Sequence, residues 1–253
     1  MTNIILSGCN GRMGSVVTSL IAERDDCKIV AGVDIDTHSI SNYPVFKAID
    51  EIDLAADVII DFSLPSSIKP ILEFAKPRKM PVVIATTGYE KSQIDLIKST
   101  ANSLPIFYSH NMSVGISLLC ELAKRAATLL QDSFDIEIIE AHHNQKIDAP
   151  SGTALMLGDS MKSVLKDDYE YDFDRSPIRE KRNAKSIGMH AIRGGTIVGE
   201  HDVIFAGCDE IVTLSHSARS KNVFAAGAVK AAIFMKNKPA GLYDMKNLVA
   251  ELQ

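Results

Sequence analysis

The chain is short of the features that would place it in several large protein classes. Basic residues are not in excess: 27 Lys and Arg stand against 32 Asp and Glu, a formal net charge of −5. That balance argues against nucleic acid as a partner. The basic stretch from Arg175 to Lys185 reads as a solvated loop. Cys9, Cys27, Cys120 and Cys208 are widely separated with no CxxC pairing, and each lies in or beside an apolar run, as reduced thiols acting as small hydrophobes do. No apolar run approaches the length of a membrane span. The opening residues MTNIILSGCN lead into a strand-like segment without a charged n-region or a small-residue cleavage site. A soluble, cytoplasmic protein with no membrane partner is therefore expected. There is no G-x-S-x-G elbow, no P-loop, no internal repeat and no low-complexity tract.

What the chain does contain is a regular alternation. Asn3 to Ser7, Lys28 to Asp34, Asp57 to Ser63, Pro81 to Gly88 and Pro105 to Asn111 are short apolar runs that read as strands buried on both faces. Segments of helical spacing separate them. The one that begins at Pro65 has Ser66 or Ser67 as a candidate cap, and Pro70 limits how regular it can be. Repeated strand–helix–strand units of this size predict a doubly wound parallel sheet in an α/β fold. After about Asn111 the pattern changes. A long helix precedes the alternating strand FDIEIIEAHH, a second helix opens at PSGTA, and two strands flank a hairpin turn at Gly207-Cys208-Asp209. This predicts a second, α+β domain with a mixed sheet. The last segment, VFAAGAVKAAIFM and its Pro/Gly stop, is a helix able to return to the first domain.

Between the first strand and first helix lies GCNGRMG, Gly8 to Gly14. A loop that holds a pyrophosphate needs a tight turn, unobstructed backbone N–H groups and a helix N-terminus aimed at the charge. Gly8 follows the strand, Gly11 permits close approach, and Gly14 lets the helix pack. Asn10 tolerates unusual backbone angles, and Arg12 adds a cation. Asp34 ends the second strand, where an acid hydrogen-bonds the adenosine ribose. The loop is read as a dinucleotide site.

The second informative stretch is EAHHNQKIDAPSGTA, Glu140 to Ala154. If Glu140 to His143 stays extended, the imidazoles of His142 and His143 point to opposite sides. Lys146 and one histidine would then supply positive charge while the other donates a proton. Ser151 is the expected helix cap, with the backbone N–H groups of Gly152 and Thr153 available to a carboxylate. A zinc site and a surface histidine pair with no role are the alternatives, but no HExxH or cysteine partner supports a metal, and the anion-ready helix start favours a small-acid and proton-donating site. A Tyr43–Lys47 pair has the spacing of a short-chain dehydrogenase but brackets Pro44, and is read as chance.

On these residues, with DFS, ATTG, HNMSVG and IVGEHDVIFA, the chain resembles the 4-hydroxy-tetrahydrodipicolinate reductase (dihydrodipicolinate reductase) family over essentially its whole length. The resemblance implies a Rossmann-type domain over residues 1–112 and 224–253, with a substrate-binding and oligomerisation domain over 113–223. It implies NAD(P)H-dependent reduction of a cyclic dicarboxylate to tetrahydrodipicolinate, in the diaminopimelate branch of lysine biosynthesis, by a homotetramer. It further implies that Gly8, Cys9, Asn10, Gly11, Arg12 and Met13 hold the pyrophosphate and Asp34 the ribose. Ala85, Thr86, Thr87, Ser109, His110, Asn111 and Met112 would flank the nicotinamide. His142 and Lys146 match the family's proton donors, and His143, Gly152 and Thr153 its substrate-binding positions. Ile35 stands where NADPH-using members often carry a basic residue, so NADH is expected to be preferred or used alongside NADPH. Ala85 and Met112 replace a usual glycine and a common aromatic. A non-catalytic dinucleotide sensor and an aspartate dehydrogenase-like enzyme are the rival readings.

Overall fold

The computed structural model describes residues 1–38 and 42–251. It divides into two compact units, Met1–Val114 with Asn222–Gln253, and Gly115–Lys221. In chain order, the first unit begins with β1 (Thr2–Ser7), α1 (Arg12–Ala22), β2 (Cys27–Val33), β3 (Val45–Phe46), β4 (Val58–Asp61), α2 (Ile68–Arg78), β5 (Val82–Ile84), α3 (Lys91–Thr100) and β6 (Pro105–Tyr108). The middle of the chain supplies α4 (Val114–Leu130), β7 (Asp135–His142), α5 (Gly152–Lys162), β8 (Glu170–Asp172), β9 (Ser186–Arg193), β10 (Gly199–Ala206) and β11 (Ile211–Ala218). The chain then returns to the first unit as α6 (Asn222–Met235), β12 (Gly241–Tyr243) and α7 (Met245–Glu251).

The first unit is a seven-stranded sheet in the order β12-β6-β5-β4-β1-β2-β3, and every pairing is parallel. Its central strands are mostly apolar because both faces are covered. Ile4, Leu6, Val58 and Ile60 face α1, α6 and α7. Ile5, Ile59, Val82 and Ile84 face α2 and α3. The strand order reverses at β1, between β2 and β4, which opens the crevice where open α/β sheets bind ligands. One local expectation is corrected here. Neither Ser66 nor Ser67 caps α2: a 3₁₀ turn over Pro65–Ser67 leads into it, and Ser67 makes no capping bond. Pro70 falls in the first helical turn, whose N–H groups have no intrahelical acceptor, so its missing donor costs nothing and the helix runs on to Arg78, with Pro77 in its last turn.

The second unit is a five-stranded mixed sheet, β11-β10-β7-β9-β8. Strand β7 runs antiparallel to β10 and parallel to β9. Ile136 and Ile138 on β7 join Ile187, Met189, Val203 and Phe205 in a core completed by α4 and α5. The hairpin between β10 and β11 closes with the Gly207 N–H donating to the Glu210 carbonyl at 2.9 Å. Among the described residues, no helix is long and apolar enough to cross a membrane.

Candidate active site

The glycine loop occupies the crevice at the C-terminal ends of β1 and β2. Gly8 has φ +76°, and a Cβ there would lie 2.5 Å from the Phe62 carbonyl oxygen. Gly14 sits against the loop itself: its Cβ would be 2.2 Å from the Gly8 carbonyl oxygen. Any side chain at either position would push loop and helix apart, so the cradle depends on both glycines. Gly11 is the N-cap of α1 and offers no side-chain cap. Helix geometry leaves the N–H groups of Arg12, Met13 and Gly14 without intrahelical acceptors, as an anion site requires. Cys9 turns inward: it is buried, its Sγ packs near Gly32, and burial first, then the Asp34 charge, push its thiol up to about 11. Only its backbone is available to a cofactor.

Asp34 is fixed to this loop by its own hydrogen bonds. Its Oδ2 accepts the Asn10 N–H at 3.0 Å, its Oδ1 accepts the Asp36 N–H at 3.2 Å, and its N–H donates to the Phe46 carbonyl at 3.0 Å. The Asn10 side chain donates to the Asp36 carbonyl at 2.5 Å. Ile35 projects into solvent, 85% exposed. Further along the sheet, Ala85, Thr86 and Thr87 follow β5. The Thr86 hydroxyl points into the protein and donates to Asp61 at 2.8 Å, and the Ala85 N–H donates to the Asp61 carbonyl at 3.0 Å. After β6, the Ser109 hydroxyl donates to the Asn111 carbonyl at 2.9 Å and His110 stacks edge-on with Tyr108. Met112 is buried against α6, where Gly227 gives its carbonyl room. Tyr43, of the discounted tyrosine–lysine pair, shares a 2.7 Å hydrogen bond with Thr18.

In the second unit the informative stretch is the end of β7 and the start of α5. Ile136, Ile138, Glu140 and His142 share one face of the strand, so the face that builds the core becomes polar at its last two positions. Glu140 is 1% exposed. Its Oε2 meets His142 Nδ1 at 2.5 Å and accepts from Arg193 Nη1 at 2.9 Å. Its Oε1 accepts from Arg193 Nη2 at 2.7 Å and from the Ser151 N–H at 3.0 Å. Burial works to raise its proton affinity, but the hydrogen bonds from Arg193, His142 and Ser151 outweigh it, and Glu140 lies below the usual carboxylate range.

Ser151 caps α5, its hydroxyl accepting the Ala154 N–H at 3.2 Å, and the same oxygen is 3.2 Å from His201 Nε2. His201 is buried. Desolvation first, then repulsion from His142, hold it down at about 4, so it is neutral at physiological pH. Its ring meets His142 edge-on at 5.2 Å. Gly152 opens α5, and a Cβ there would meet nothing within 4 Å, so the space before the helix is open. Lys146 pairs with Asp148 at 2.9 Å, and His143 Nδ1 is buried with no hydrogen-bond partner among the described residues.

The structure thus brings His142, Ser151 and Gly152 together, with Lys146 in the intervening loop. It adds Glu140, Arg193 and His201, to which sequence reasoning gave no role. Glu140 was within reach, since it is two positions from His142 on a strand. Arg193 and His201 arrive only through sheet register, opposite His142 on β9 and opposite Glu140 on β10. Among the described residues, no group of three or more His, Cys, Asp or Glu is arranged to hold a metal.

A parallel sheet with a glycine cradle and an acid after its second strand, joined in one chain to a histidine–carboxylate cluster at a helix N-terminus, defines a dinucleotide-dependent oxidoreductase. Comparison with known proteins narrows the class. Residues 2–112 match the family model described as Dihydrodipicolinate reductase, N-terminus, and residues 115–249 the model described as Dihydrodipicolinate reductase, C-terminus. The 4-hydroxy-tetrahydrodipicolinate reductase of Clostridium tetani is 49% identical over 245 residues, 97% of this chain and 96% of the relative. That of Caldanaerobacter subterraneus subsp. tengcongensis is 49% identical over 249 residues, 98% of each chain. The chain belongs to the dihydrodipicolinate reductase family. Its fold matches a solved dipicolinate-bound dihydrodipicolinate reductase from Paenisporosarcina sp. TG-14 with TM-score 0.82 at 22% identity, covering 98% of this chain and 99% of that one. An aspartate dehydrogenase from Thermotoga maritima matches more distantly, with TM-score 0.51 at 11% identity over 94% of this chain and 98% of that one, a likeness of fold alone.

Proposed function

We propose that this chain reduces 4-hydroxy-tetrahydrodipicolinate to tetrahydrodipicolinate with NAD(P)H, in the diaminopimelate branch of lysine biosynthesis, and that His142 and Lys146 donate the protons. The observation that carries the assignment of roles is His142 at the end of β7, beside a helix start with open space before it. The dinucleotide, when bound, supplies a hydride. Backbone groups from Gly8 to Met13 receive its pyrophosphate, Asp34 its ribose, and Ala85 to Thr87 with Ser109 to Met112 its nicotinamide, Thr86 and Met112 through backbone alone, because the Thr86 hydroxyl is committed to Asp61 and the Met112 side chain is buried against α6.

The substrate carries two carboxylates. The start of α5 at Gly152 and Thr153 binds one through helix-terminal N–H groups, with His143 alongside, and Lys146 draws the other. Lys146 is ion-paired to the exposed Asp148, a link a dianion would compete for. His142 protonates the carbon that gains electron density as the hydride adds, and the preceding loss of water uses the same acids. Asp34 next to Ile35 disfavours a 2′-phosphate, so NADH is preferred or used alongside NADPH.

The protein acts as a homotetramer in the cytoplasm. The open face of the five-stranded sheet supports the assembly: Ile192 and Ile211 are more than half exposed there, and light scattering on the purified protein tests it. The activity is tested by following NADH and NADPH oxidation in parallel, with substrate generated from pyruvate and aspartate semialdehyde by the preceding synthase. Rapid oxidation with NADH at least as good as NADPH is expected. No oxidation by a protein that still binds either cofactor would favour the sensor, and turnover of oxaloacetate with ammonia the aspartate dehydrogenase.

A further inference from the structure

Glu140 and Arg193 have no part in the reaction as described, yet the Arg193 guanidinium grips the buried Glu140 carboxylate through two hydrogen bonds. Resting on His142 as a proton donor, we propose that Glu140 is a positioning residue for His142, with Arg193 positioning Glu140 in turn. Together they fix the ring so that Nε2 is the nitrogen presented to the reacting carbon.

Each Glu140 oxygen takes two partners, which uses the accepting capacity of an ionised carboxylate. A carboxylate in that state accepts only, so His142 Nδ1 must carry a proton and the neutral ring has one tautomer. The exchanging proton is then confined to Nε2. It leaves as the N–H bond breaks, the carbon's electron pair forms the new C–H bond, and the Nδ1–H imidazole remains. Access to that nitrogen is preserved by Gly199, where a Cβ would stand 3.1 Å from Nε2.

Arg193 makes the arrangement rigid. Its Nη2 also donates to the Asp148 carbonyl and its Nη1 to the Ile192 carbonyl, both at 2.7 Å, so the guanidinium ties the carboxylate to the loop that carries Lys146. The groups facing His142 are Glu140 on its own strand, Arg193 from β9 and His201 from β10. His216 on β11 lies opposite His201, and Lys146 in the following loop acts on the same cluster. Glu140 is the one anion in this set.

The test compares Glu140→Gln, Glu140→Asp and Arg193→Gln with wild type and with His142→Gln, in kcat, KM, NADH dissociation constant and pH–rate profile. For Glu140→Gln, kcat should fall about 10- to 100-fold with NADH affinity unchanged. Its pH limb should move to lower pH, because the imidazolium loses its anion, while Arg193→Gln should move it to higher pH. Glu140→Asp should restore the wild-type limb. A structural role alone would lower yield or stability without shifting the limbs in opposite directions. ¹⁵N shifts of His142 in unmodified enzyme give an independent readout, with Nδ1 expected to be the protonated nitrogen of the neutral ring. Unchanged kcat and pH profile in Glu140→Gln, limbs that move the same way, or an Nε2–H ring would overturn the proposal. Full activity in His142→Gln would instead overturn the reading on which it rests.

Discussion

Each unit buries one carboxylate almost completely, and the two are held in opposite ways. Asp61, at the end of β4, is 0% exposed and takes its hydrogen bonds from neutral donors: the Ser63 N–H and hydroxyl, Thr86 and Tyr89. Burial dominates and pushes its proton affinity up despite those bonds. Glu140 is 1% exposed and meets a bidentate guanidinium, which more than repays the same desolvation and holds it down. The difference separates two uses of one chemical group. Asp61 ties the loop after β4 to the ATTG loop. It resists ionising, so it serves as an anchor. Glu140 is kept ionised, so it can orient a neighbouring imidazole.

The largest expected effect breaks the comparison on the side where chemistry is placed. His142→Ala should lower kcat by about 10² to 10⁴-fold with NADH binding intact by fluorescence titration. Loss of NADH affinity instead would move His142 out of the acid role. The next effects set the two carboxylates against each other. Glu140→Gln leaves Arg193 without its anion and should cost about 3 kcal/mol of stability. Asp61→Asn, which keeps a hydrogen-bonding shape among neutral donors, should cost about 1 kcal/mol. Equal costs by urea titration would show that the guanidinium does not distinguish them.

Their pH dependences should have opposite signs. Glu140 is lowered on folding, so the stability it contributes is present above its ordinary value of 4.5 and is lost as pH falls through its folded value. Asp61 is raised, so its contribution is present below its ordinary 3.8 and is lost as pH rises through its folded value. Melting temperatures of wild type and each variant from pH 3 to 8, on the order of one scan per half unit, should therefore diverge for Glu140→Gln and converge for Asp61→Asn as pH rises. Parallel curves would refute the contrast. The smallest effect is Ser151→Ala, which removes the cap of α5 and the contact to His201 and should cost about 1 kcal/mol. A thermal melt that does not move would mean that water replaces the hydroxyl.

Several features were legible before any coordinates because they are local. The strand–helix alternation announced the parallel sheet, GCNGRMG its turn, and Ser151 its helix cap. Backbone sterics and hydrophobic periodicity act within a few residues, and the alphabet of the sequence records them directly. The short strands β3, β8 and β12, of two or three residues each, were not foreseen. Segments that short carry no usable period, and neighbouring strands recruit them. The α2 cap failed for a related reason, since Pro65 had already started a 3₁₀ turn.

By itself the sequence determined a parallel α/β unit followed by an α+β unit with a mixed sheet, a tight glycine turn between the first strand and the first helix, and a histidine–lysine stretch specific enough to announce the family. Tertiary structure alone decided which charges share a buried volume. His142 lies opposite Arg193, and Glu140 opposite His201, because of the register of β7 against β9 and β10. Residues about fifty positions apart in the chain become partners, and the fate of a carboxylate depends on that partner. Its ionisation is set by distance to a cation and by exclusion of water, and both come into being only when the sheet is assembled.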